Sequence, residues 1–193
     1  MKTRLLVPVL CACVLWVQGC DDPRARLVAV QAAAEQSGDR TAAATALEAD
    51  FREGRVTLGL ALDHAFVTLE RNEDTFVYVG AVLDMAERVS DSIPSRQEQS
   101  TILLFRLGRL AYQSAEAAYL KGDVALARSL VLSGPSRWQN EGYWLRYPDH
   151  DGLASMLLAV TGDRSEALRR LNSRPALDGP AEEALELIRS MPP

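Results

Sequence analysis

Three times along this 193-residue chain a glycine is followed by an aspartate: Gly38-Asp39, Gly122-Asp123 and Gly162-Asp163. Each time an alanine stands five residues past the glycine (Ala43, Ala127, Ala167), with an apolar residue four further on (Leu47, Val131, Leu171). Glycine closes a helix in the left-handed conformation without a Cβ penalty, and aspartate caps the free amides of the next helix. The alanine then lets the two helices cross closely. Gly80, with Met85 and Val89 in the matching places, reads as a degenerate fourth copy, though it also fits a helix interior. Counting it gives spacings of 42, 42 and 40 residues, the range of stacked helical hairpins.

The rest of the chain past residue 22 agrees. Alanine is abundant and β-branched runs are scarce. Helices are expected over Arg24 to Gln36, Arg40 to Arg52, and a third with Leu58, Ala61, Leu62, Ala65 and Leu69 as its buried stripe. The apolar run Phe76-Val77-Tyr78-Val79 continues into a helical face of Val82, Met85, Ala86 and Val89, so it reads as helix, ending before Pro94. Ser95 and Glu98 have capping-box spacing and open a long helix to Lys121, with small residues Gly108, Ala111, Ala115 and Ala118 for close packing. A helix ending at Leu132, a pair at Gly152 to Thr161 and Arg164 to Leu171, and a last helix from Pro180 complete the series. Met191 to Pro193 reads as a frayed end.

Tyr119 to Arg128 and Ala159 to Leu168 carry the glycine, aspartate and alanine in order. They resemble the turn and second helix of a tetratricopeptide repeat. The resemblance implies an all-α fold of stacked antiparallel hairpins, a tetratricopeptide-like solenoid. It also implies a concave surface lined by first helices, here those ending at Lys121 and Thr161. An irregular helical bundle using the same turn chemistry is the alternative architecture.

The N-terminus has a different character. Lys2 and Arg4 precede Leu5 to Val17, a run without charge broken only by Pro8, in the manner of a secretory leader and too short to span a membrane. It closes on Val17-Gln18-Gly19-Cys20, which resembles the lipobox of bacterial lipoproteins. That resemblance implies a leader over 1–19, lipid on the sulfur of Cys20, and acylation of its new amino group. Residues 20–24 then form a lipidated start and spacer, and 25–193 one helical-repeat domain. Cys11 and Cys13 fall inside the leader, so Cys20 is the sole cysteine of the mature chain and no internal disulfide or thiolate metal cluster can form. The expected location is a bacterial membrane, facing the periplasm or cell surface. Asp21 and Asp22 resemble a signal for retention in the inner membrane.

Chemistry is sparse. The formal charge of −5, which becomes −7 without Lys2 and Arg4, argues against nucleic acid. His64 lies beside a buried stripe. His150, in Asp149-His150-Asp151, could serve a metal or proton transfer, but consecutive residues cannot all face one ion, and helix capping accounts for the aspartates. No HExxH, GxSxG, Walker or GxGxxG motif occurs, so no catalytic residue, metal or cofactor is assigned. The informative segment is aromatic: Trp138, Tyr143, Trp144 and Tyr147, interleaved with Arg137 and Arg146. These residue types dominate binding hot spots, and the same rings would also serve to cover a core.

The expectation is a non-enzymatic adaptor or assembly factor gripping envelope proteins, resembling pilotin-like subunits of pilus or secretion machines. A glycan or small-ligand sensor and a cell-wall hydrolase are the alternatives. Labelled palmitate should appear on the full chain, and Cys20→Ser should abolish the label and leave residues 1–19 attached. Label that survives this substitution refutes the assignment.

Overall fold

A computed structural model describes residues 22–71, 74–92, 98–133, 148–173, 177 and 179–192, and among them there is no β-strand. The helices are α1 (Pro23–Ser37), α2 (Arg40–Arg52), α3 (Leu58–Glu70), α4 (Phe76–Arg88), α5 (Glu98–Leu120), α6 (Val124–Val131), α7 (Pro148–Val160), α8 (Arg164–Asn172) and α9 (Gly179–Ser190). A short 3-10 turn, Ser90–Ser92, follows α4. The fold is all-α.

The Gly-Asp turns behave as the sequence predicts. Gly38, Gly122 and Gly162 have φ of 68, 87 and 97°. At the second and third, the aspartate amide donates back to the closing helix (Asp123 to Ala118, 3.0 Å; Asp163 to Leu158, 2.8 Å). The aspartate side chain meanwhile accepts from the opening helix, at the amides of Leu126 and Glu166. One residue thus ends one helix and starts the next, a cap that contributes about 1 kcal/mol. At Gly38 the closure is the simpler glycine bond to Ala34, 2.8 Å, and Asp39 caps through the Ala42 amide. Ala43, Ala127 and Ala167 are buried, as are Leu47, Val131 and Leu171.

The chain forms successive antiparallel hairpins, α1–α2, α3–α4, α5–α6 and α7–α8, with α9 closing against α7 and α8. The first helices lie side by side in order, α1 by α3, α3 by α5, α5 by α7 and α7 by α9. The second layer is less regular: α2 packs on α4, while α4 turns to α5. The deepest element is α4, in which Tyr78 through Leu83, Met85 and Ala86 are buried. The small-residue stripe of α5 is buried as expected (Gly108, Ala111, Ala115, Ala118).

Three local expectations are corrected. Gly80 is not a fourth turn; it lies buried within α4, and the second hairpin turns between Glu70 and Phe76. Its successor is Ala81, which cannot cap a helix, so nothing at Gly80 interrupts the apolar face. Helix α7 begins at Pro148 rather than Gly152, placing His150 in its first turn. Met191 is held: its amide donates to Ile188 at 3.3 Å and it packs half-buried on the core, while Pro193 lies outside the described residues. Ser95 of the capping box and Gly134-Pro135 lie outside the described residues.

Between hairpins, arginine side chains supply specific links. Arg40, at the start of α2, grips both carboxylate oxygens of Asp84 on α4 (2.7 and 2.6 Å) and donates to the hydroxyls of Ser129 and Ser133 on and after α6 (3.1 and 2.7 Å). Arg128 of α6 reaches Asp163 at 2.8 Å, so that carboxylate both caps α8 and ties it to the preceding hairpin. Within α8, Arg169 and then Arg170 hold the Glu166 carboxyl well below its usual range, to about 2.

The Arg40 clamp explains Gly80. A Cβ there would stand 2.7 Å from Arg40 Nε. In a free helix, glycine to alanine gains up to about 1 kcal/mol. Here Gly80→Ala should lower the unfolding temperature of the intact chain by dislodging Arg40, and raise it in an Arg40→Ala background. The same sign in both backgrounds refutes the clamp.

Candidate functional site

Among the described residues two hollows lie on the first hairpins. One, about 520 Å³, lies along the junction of α1 and α2. Its floor is alanine (Ala33, Ala42, Ala46) and its charged fence is mutually paired: Asp50 accepts from Arg26 at 3.2 Å and Arg55 at 2.6 Å. The other, about 790 Å³, runs between the first helices α1 and α3 to the start of α4. Its lining brings together Arg24, Glu35, Asp63, His64, Arg71 and Asp74, and it is the candidate site.

The groove follows from two helical faces. Arg24, Val28, Gln31 and Glu35 recur at three- and four-residue intervals on α1, and Leu60, His64, Val67 and Arg71 do so on α3. Val28 and Val67 are 54% and 43% exposed, leaving an apolar floor open to solvent. At the far end α4 begins. Its N-cap residue, Thr75, makes no side-chain cap bond; instead Glu35 of α1 accepts the Tyr78 amide at 2.8 Å. A carboxylate at the positive end of a helix replaces the missing cap across the groove. Burial raises the Glu35 pKa above the ordinary value, with Asp74 adding to the shift against the backbone hydrogen bonds from Tyr78 and Val77.

Beneath the floor, His64 meets the buried Tyr78 ring edge-on, centroids 5.3 Å apart at 82°. Burial pushes the Tyr78 phenol pKa up. The remaining acids are engaged by α5 and the turn that follows it: Asp63 pairs with Arg106 and Asp74 with Lys121. Arg106 and Arg109 also stack over Phe66 of α3, 5.7 and 5.9 Å from its centroid, and Lys121 lies 5.1 Å from that of Phe76. These groups hold helices together. Among the described residues no three His, Cys, Asp or Glu side chains converge on a metal-sized site.

Cys20 and the aromatic segment (Arg137, Trp138, Tyr143, Trp144, Arg146, Tyr147) lie outside the described residues. The first helices expected to line a concave face, α5 and α7, are neighbours in the row. The hollow, however, opens at α1 and α3. The sequence held the signal in the face opposite the Leu58, Ala61, Leu62 and Ala65 stripe, where apolar and charged residues alternate. Among the described residues no helix is long and apolar enough to cross a membrane. No family model, curated protein or solved structure matches the chain.

Glu35 gives a pH test. Its folded pKa exceeds the unfolded value, so its contribution is fully present below the unfolded pKa and is lost as pH rises through the folded one. The stability difference between wild type and Glu35→Gln should therefore move toward wild type as pH falls through the ordinary glutamate range. A pH-independent difference in thermal unfolding contradicts this.

Proposed function

We propose that this chain is a lipoprotein of the bacterial cell envelope, exported under a leader over residues 1–19 and anchored through lipid on Cys20. There it acts as a protein–protein interaction adaptor or assembly factor, in the manner of pilotin-like subunits of pilus or secretion machines. The proposed face is periplasmic or external, and Asp21-Asp22 favours the inner membrane. It has a neighbour to hold and no reaction to perform, and it needs no cofactor.

The observation that carries the adaptor reading is the unbroken row of first helices, α1, α3, α5, α7 and α9. Such a row offers a long, shallow surface suited to a partner segment. Support for a non-catalytic role comes from the groove's acids. Asp63, Asp74 and Glu35 are each engaged in joining helices. The aromatic residues Trp138, Tyr143, Trp144 and Tyr147, with Arg137 and Arg146, remain the proposed anchors for the partner.

The test is affinity capture of the full chain from crosslinked membranes. A reproducible envelope protein is expected, with recovery reduced severalfold by Trp144→Ala. Failure to recover any partner from membranes that retain the chain overturns the reading.

A further inference from the structure

The charges around the α1–α3 groove are of two kinds. Its carboxylates all have partners within the fold: Asp63 has Arg106, Asp74 has Lys121, and Glu35 has the amide end of α4. Its arginines do not. Arg24 and Arg71 are exposed, and among the described residues neither side chain makes an ion pair or hydrogen bond. They also stand at opposite ends. Arg24 is in the first turn of α1, whereas Arg71 closes α3 beside the Glu35 end of the groove. Eleven residues of helix separate Arg24 from Glu35, about 16 Å. Between the two guanidinium groups the floor is apolar, with Val28 and Val67 exposed to solvent.

We infer that this groove receives an acidic, apolar-faced segment of a partner protein, its apolar side chains on Val28 and Val67 and its carboxylates meeting Arg24 and Arg71. The inference rests on the adaptor reading and specifies the chemistry of the partner. Charge complementarity selects the occupant: among the described lining residues the exposed Asp63 and Asp74 are ion-paired and Glu35 is hydrogen-bonded, whereas the Arg24 and Arg71 side chains are not. A helix of about three turns spans the distance between the arginines. The chain as a whole is acidic, so its long-range field disfavours an acidic ligand. Any preference for acid therefore reports the groove itself.

The probe is a fluorescent amphipathic helix of about 15 residues built from Leu, Ala and Glu, compared with the same peptide carrying Lys for Glu. With the full chain at low salt, fluorescence anisotropy should show the Glu peptide binding at least about tenfold more tightly. Arg24→Glu with Arg71→Glu should reverse that order. Arg24→Gln with Arg71→Gln, both exposed and conservative in size, should abolish it with unchanged helical circular dichroism. Equal binding of the two peptides, no binding of either, or a preference that survives both double variants overturns the inference. So does loss of binding to phosphatidylglycerol vesicles in the Glu variants while the peptide preference is unchanged, which would assign the arginines to lipid. A partner captured equally well by wild type and the Glu double variant sinks this inference and spares the adaptor reading. An arginine-dependent preference for the Glu peptide without any captured partner supports the groove chemistry and sinks the adaptor reading.

Discussion

A helix that stops on a left-handed glycine and restarts one residue later can only run back along itself. That constraint generates the α1–α2, α5–α6 and α7–α8 hairpins of this protein. At Gly122-Asp123 and Gly162-Asp163 the aspartate amide satisfies a carbonyl of the first helix while its carboxylate satisfies an amide of the second. Only three residues lie between the helices at each of these turns, so the turn and the buried alanine beyond it constrain how the two helices meet. The cost of leaving those terminal groups unpaired, about 1 kcal/mol or more each, makes the turn self-enforcing.

Local causes of this kind were legible in the sequence. The bounds of α2 and the buried stripe of α3 follow from capping chemistry and periodicity, which depend on residues a few positions apart. Gly80 fits both the repeat period and a helix interior on spacing alone, and its purpose lies elsewhere in the fold. It leaves room for a guanidinium from another helix. Nothing near Gly80 in the chain announces Arg40, forty positions earlier. The groove was missed for a related reason: its two walls are unremarkable amphipathic faces until packing brings α1 alongside α3.

Joining hairpins to one another uses a different interaction from making them. Apolar burial around α4 supplies most of the adhesion, but it is nondirectional and would tolerate sliding. The Arg40–Asp84 pair, the Arg106–Asp63 pair and the carboxylate of Glu35 at the α4 amides fix relative position, because each requires a particular distance and direction. Several of these links border the α1–α3 groove. Its shape and its residual charge therefore have one origin: the carboxylates that position helices are ion-paired or hydrogen-bonded within the fold, and the arginines that position nothing remain.

The groove's place along the chain ties it to the proposed anchor. Only three residues lie between Cys20 and Arg24, so the four Cα-to-Cα steps reach about 14 Å at most. A lipid at Cys20 would thus hold the Arg24 end of the groove close to the membrane surface, with the Arg71 end about 16 Å further along α1. In that arrangement a partner segment near its own membrane attachment meets the groove at high effective concentration, because both molecules are confined to the same thin layer. Modest contacts, two exposed ion pairs over a short apolar floor, are then sufficient for a working association.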